Sequence, residues 1–230
     1  MSYAIDIMFH KVDNKLEAFE LAQEAMKVVA ANANDILEDN KYYCPMSRKE
    51  AKEEGTPSHM YSKYEESVSQ ATRYWIRALM TYRFMYWPEQ KLLGVIGHES
   101  LLEPLGWKGI YFQNSTDQDY EYKEWADICA AFDEAIQKCQ NMTDEAIKEK
   151  ADETTLDDYD TKERFQWYCD YTRRSAVYQA IYEMLDINSI LYGYGKSEKY
   201  EYFAMNAIPD NDTYFQLELH ARALAAQYID

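Results

Sequence analysis

The residues best placed to do chemistry in this chain are carboxylates. Between Asp117 and Glu163 there are 16 acidic and 5 basic residues in 47 positions, a net of −11 out of −17 for all 230 residues. Dense carboxylates bind either a metal ion or a cationic partner. Asp117, Asp119 and Glu121 alternate like the first ligands of a calcium loop, but Tyr122 stands where the sharp turn needs Gly and Ile128 where the closing bidentate Glu belongs. Asp210 and Asp212 fail in the same way, with Ala221 in the closing place. No metal site and no cofactor is expected. Trp125, Ile128, Cys129, Phe132, Ile136 and Cys139 run through the same stretch at helical spacing, so it reads as folded. Asp117, Asp119, Glu121, Glu124, Asp127, Asp152, Glu153, Asp157, Asp158 and Asp160 are then expected to form an acidic face. Such a face repels phosphate backbones and attracts cations, which weighs against direct nucleic-acid binding and against anionic membranes.

Other chemistry finds less footing. Gly193, Gly195, Lys196 and Ser197 end like a phosphate-binding loop, yet Ile190 stands where its first glycine is required. None of His10, His59, His98 and His220 has Glu three residues before it, and His98-Glu99 lacks the second His of a zinc-protease helix. His98, in a Gly-rich loop beside Glu99 and Ser100, is the histidine best suited to act as a base. No Gly-x-Ser-x-Gly elbow occurs. Arg73, Arg77 and Arg83 lie among Tyr74, Trp75, Tyr82, Phe84, Tyr86 and Trp87, and Arg173 and Arg174 recur later. Basic groups between aromatics can stack single-stranded nucleic acid. In so acidic a chain they more naturally pair internal carboxylates while their stems cover apolar surface. Arg73 and Arg77 stand one helical turn apart and would share a carboxylate, which makes Arg73, Arg77, Tyr82, His98 and Arg173 the candidate lining of a pocket for a small anionic ligand.

The elements that must position these groups follow from periodicity. Tyr3 to Phe9 is β-permissive, and Asp13 can cap a helix with the stripe Leu16, Phe19, Ala22, Met26, Val29, Ala33 and Ile36. Residues 40–58, with Pro45, Gly55 and Pro57, read as a flexible loop. The spacing of Tyr61, Tyr64, Val68, Ala71, Trp75, Leu79, Tyr82 and Tyr86 predicts a long helix ended by Pro88. The Gly-rich centre holds two candidate strands, Leu92 to Ile96 and Ile110 to Phe112. Cys129 and Cys139 would share one helix, ~15 Å apart and unable to bond. Thr143 marks a helix start. Thr155 and Asp158 approximate a capping box opening a central helix to about Tyr192, with Gly193 as its C′ residue. The last helix begins at Asp212 or Thr213 and turns Phe215, Leu219, Leu224 and Tyr228 inward.

With 47% hydrophobic and 15% aromatic residues, 22 of them Tyr, the chain can fill a core, and its 7 Gly and 5 Pro suit long helices. The expected fold is a single domain over residues 1–230, predominantly α-helical in the α+β class, with a minor sheet from the N-terminal strand and the Gly-rich centre. Four cysteines without metal spacing, no signal-like leader and no bilayer-length apolar run point to a cytoplasmic protein. The expected function is non-enzymatic: an acidic helical region, 117–163, that docks a basic protein surface, possible as a nucleic-acid mimic. The rivals are an aromatic- and Arg-lined pocket, and self-association through exposed aromatics.

Overall fold

Ile5, Ile7 and Phe9 alternate with Asp6, Met8 and His10, and that period of two makes the first segment a strand. The computed structural model describes residues 4–39, 53, 82–97, 99–113, 122–192, 197–208 and 210–228. Its strands are β1 (Ala4–Lys11), β2 (Tyr82–Trp87), β3 (Leu92–Ile96), β4 (Lys108–Gln113) and β5 (Glu201–Met205). They form one sheet in the order β4-β1-β3-β2-β5. β1 runs antiparallel to β3 and to β4, with Ile7 opposite both Ile96 and Ile110, and β2 runs antiparallel to β3 with Met85 opposite Gly94. The helices are α1 (Lys15–Ala31), α2 (Ala33–Asp39), α3 (Glu99–Leu102), α4 (Tyr122–Ile128), α5 (Ala130–Gln140), α6 (Asp144–Lys150), α7 (Glu153–Asp158), α8 (Lys162–Met184), α9 (Ile187–Leu191) and α10 (Asn211–Tyr228). The α+β reading, mainly helical with a minor sheet, holds. Among the described residues no helix is long and apolar enough to cross a membrane.

The chain forms two compact units, Met1–Phe19 with Phe84–Phe203, and Glu20–Arg83 with Ala204–Asp230. In the first, Ile7, Phe9, Met85, Trp87, Leu92, Ile110 and Phe112 make one apolar face of the sheet. Trp125, Ile128, Phe132 and Ile136 from α4 and α5, and Val177, Tyr178 and Ile181 from α8, complete the same core. The Trp87 ring is the keystone. It is fully buried, lies 5.6 Å from the Phe9 ring and 5.4 Å from Tyr200, and its Nε1–H donates to the Leu185 carbonyl at 3.0 Å. That carbonyl follows the last turn of α8, where helix geometry leaves acceptors without partners. The ring has room because position 94 carries no side chain: a Cβ there would stand 2.7 Å from Cζ3 of Trp87. In the second unit α2 packs on α10, and Ala22, Met26, Val29, Ala33, Leu217 and Ala221 are buried.

Several expectations are corrected. Residues 82–87 are a strand and not the end of a helix, because Phe84 and Tyr86 point to one buried side and Met85 and Trp87 to the other. β5 lies in a stretch to which the periodicity assigned no structure. The cap of α1 is Asn14 instead of Asp13: its Oδ1 accepts from the Leu16 and Glu17 amides at 2.9 and 3.1 Å. Leu16 and Phe19 are exposed, and Ala18 and Ala25 are buried. Cys129 has extended backbone and separates α4 from α5, so it does not share a helix with Cys139. The helix expected from Thr155 is two helices; Thr161, whose Oγ1 accepts from the Arg164 amide at 3.3 Å, starts the long one. It ends at Met184, after which Asp186 adopts a left-handed φ of 51°. α10 is capped by Asp210, two or three residues before the expected Asp212 or Thr213, and leaves Phe215 and Leu219 half exposed while Leu217 and Ala221 face inward. The expected loop at 40–58, apart from Glu53, and the helical pattern over 61–81 lie outside the described residues, as do Gly193 to Lys196.

Gly94→Ala is expected to lower the free energy of unfolding by about 1–3 kcal/mol through overpacking. Trp87→Phe, which leaves the Leu185 carbonyl unpaired, is expected to cost about 1–3 kcal/mol or more. Urea midpoints should show the double variant losing less than the sum, because the smaller ring vacates the space the new methyl needs.

Candidate functional site: an acidic helical surface

Helices α4, α5 and α6 turn apolar residues inward, which leaves most of their carboxylates the wet side, whereas α7 buries no residue. Trp125, Ile128, Phe132, Ala135, Ile136, Cys139 and Ile147 are buried, with the Trp125 ring 5.9 Å from Phe112 and 6.1 Å from Tyr178. Asp127, Asp133, Glu134, Asp152, Glu153, Asp157, Asp158, Asp160 and Glu163 are exposed, and Glu124 lies in α4 beside them in sequence. Asp117, Asp119 and Glu121 fall outside the described residues.

Some of this acidity has a local structural use. Thr143 caps α6 by accepting from the Ala146 amide at 3.2 Å, and Asp152 caps α7 by accepting from the Thr155 amide at 2.7 Å. Hydrogen bonds from the Thr155 side chain and backbone hold the Asp152 carboxyl below the usual carboxylate range. Glu153 and Glu163 sit in first helical turns, where the helix dipole favours negative charge. Asp157 and Asp158 are different. They occupy the last turn of α7, which holds no basic residue and where the dipole disfavours carboxylates. Among the described residues no cation stands within ion-pair distance of Asp127, Glu134, Glu153, Asp157, Asp158 or Glu163.

Arg173 works inside the fold. Its Nη2 pairs with Asp144, Nη1 donates to Asp170 at 3.1 Å and Nε donates to the Met142 carbonyl at 2.8 Å, which ties α8 to the turn before α6. The Asp144 pairing raises its pKa further. Beneath it the Cys169 thiol is fully buried, and burial, with the nearby Asp144 charge second, raises its pKa and keeps it protonated. Cys129, Cys139 and Cys169 are all free and buried. Tyr82 is buried in the second unit, and burial pushes its phenol pKa up. Arg173 is in the first unit, and Arg73, Arg77 and His98 lie outside the described residues. Among the described residues no three His, Cys, Asp or Glu side chains converge so as to hold a metal ion. An open cavity of about 450 Å³ lies beside the start of α5, and its charges are mixed: Lys11 and Lys91 against Asp13, Glu17 and Glu89.

One feature escaped sequence reasoning. Tyr159, Trp167, Tyr168 and Tyr171 form a chain of near-parallel rings at the α7–α8 corner, with Trp167 52% exposed. Its trace in the sequence is the one-turn spacing of Trp167 and Tyr171, on a side of α8 away from the buried Cys169.

Arg173→Ala is expected to destabilise the protein by about 1–3 kcal/mol in chemical denaturation, since it orphans the Met142 carbonyl, and Arg173→Lys should recover only part of that. The Asp152 carboxyl is depressed in the folded state, so its contribution is present above the ordinary carboxylate pKa and lost as pH falls through the lower folded value. Asp152→Asn, which keeps a capping oxygen, should therefore flatten the acid limb of a stability-versus-pH curve while leaving neutral stability nearly unchanged. The chain matches no protein-family model, no curated protein and no solved structure.

Proposed function

We propose that the protein is a non-enzymatic binding module whose acidic helical region docks a cationic surface on a partner protein. The observation that carries this is the group of exposed carboxylates, Asp157 and Asp158 foremost, for which no described residue supplies a cation and which cap no helix. Like charges so close on an ordered surface destabilise it, and a basic partner removes that cost on binding. Carboxylates along consecutive helices imitate a phosphate ladder, so the specific form of the function is occlusion of a nucleic-acid-binding surface on the partner. A pocket for a small anion has less to draw on. The donors of Arg173 bond to Asp144, Asp170 and Met142, and the cavity beside α5 offers three carboxylates against two lysines.

Binding to a basic protein domain should weaken steeply as salt is raised through about 0.1 M, where the screening length falls to about 10 Å. The triple reversal Asp157→Lys, Asp158→Lys, Asp160→Lys should abolish it and remove the salt dependence, with an unchanged circular dichroism spectrum. A reversal variant that keeps every partner bound at wild-type affinity overturns the proposal.

A further inference from the structure

The α7–α8 corner carries a chain of stacked rings. Tyr159 follows the last residue of α7, and its ring lies 5.9 Å from Trp167 at 24° and 5.0 Å from Tyr168 at 25°. Trp167 lies 5.5 Å from Tyr171 at 12°. Centroid distances and angles of this kind mark offset stacking, in which each ring covers part of its neighbour. The Trp167 side chain is left about half in water, although indole is the side chain with most apolar area to lose. A half-wet tryptophan braced by two tyrosines, Tyr159 and Tyr171, is the make-up of an interface anchor.

The surroundings identify what seats on it. Residues 157–171 carry the carboxylates Asp157, Asp158, Asp160, Glu163 and Asp170 against the cations Lys162 and Arg164. Arg164 is drawn to Asp160 at 3.7 Å, and Asp170 is held by Arg173, which leaves Asp157, Asp158 and Glu163 without a cation among the described residues. An aromatic face attracts a cation through its quadrupole, and carboxylates beside it add both charge and acceptors. A guanidinium suits both demands better than an ammonium, since it lies flat on a ring while its edge donates to a carboxylate. We infer that the Tyr159–Trp167–Tyr168–Tyr171 stack is the anchor of the acidic surface, and that it takes an arginine side chain presented by a basic segment of the partner. This rests on the function proposed above and names the residues that give it selectivity.

Arginine and lysine homopeptides of equal length, titrated against the full chain, separate the stack from the charge. The wild type is expected to prefer the arginine peptide about three- to fivefold, the size of a solvent-exposed cation–π contact. Trp167→Ala should bring the arginine peptide to the lysine level without altering the salt slope, and Trp167→Phe should keep most of the preference. Tyr171→Ala, a separate removal from the same stack, should reduce it too. Reversal at Asp157, Asp158 and Asp160 should weaken both peptides alike and flatten the salt slope. An unchanged arginine preference in Trp167→Ala, with the reversal still damaging, overturns the anchor and leaves the acidic surface standing. Equal affinity of the wild type for the two peptides also overturns the anchor. If neither peptide responds to the reversal, both ideas fall. Sedimentation that shows a wild-type dimer dissociated by Trp167→Ala makes the occupant a second copy of this chain, and overturns the arginine assignment.

Discussion

The first unit depends on one indole resting on bare backbone. Trp87 lies against Gly94 across the β2–β3 ladder, close enough that a methyl group there would collide with it. The same ring donates its N–H to the carbonyl that closes α8, so a single side chain fixes the sheet's face and the height of the longest helix above it. Two conditions meet in that contact. The ring buries a large apolar area, and the orphan acceptor at the helix end gains a donor. Phe112, Trp125, Tyr178 and Phe132 then pack outward from that floor, so α4 and α5, which carry part of the acidic region, are held to the sheet and to α8 by aromatic contacts.

That division of labour explains how the surface tolerates its carboxylates. Where the chain needs a charge for structure it uses one: Asp152 and Asp210 cap helices, and Arg173 crosses from α8 to Asp144. Exposed ion pairs such as Arg164 with Asp160 add little, because water and salt screen them. The remaining carboxylates are carried by a scaffold whose stability comes from burial, and Asp157 and Asp158 contradict the local preference of a helix end. A residue that breaks a local rule without compensation inside the fold is a marker of function elsewhere.

The sequence displayed some of these elements openly and concealed others for physical reasons. β1, β3 and β4 were legible from apolar alternation and from the Gly and Pro that bound them. β2 was not. Tyr82 to Trp87 is apolar on both sides, so its period of two vanishes, and the tyrosine spacing before it runs on as though helical. The inner face of α1 was legible at Ala22, Met26 and Val29 and misplaced at its start, where Ala18 is buried and Leu16 and Phe19 are exposed; in α10 Leu217 and Ala221 are buried while Phe215 and Leu219 remain half in water. Close helix packing selects small side chains, which hydropathy weights lightly.

The candidate site was legible in one component only. Charge density can be counted along a chain, whereas the ring stack arises where a residue after one short helix meets three residues of the next, and no periodicity spans that turn. The two components also do different physical work. A field of carboxylates raises the rate of encounter with any basic surface and discriminates poorly between partners. Stacked rings act only at contact, over a few ångströms, and respond to the shape of the cation. An acidic surface without such an anchor would bind every basic protein in proportion to its charge. With Trp167 in the second turn of α8, stacked on the Tyr159 that follows α7, the proposed steering by Asp157, Asp158 and Glu163 and the proposed recognition fall to neighbouring residues of one corner.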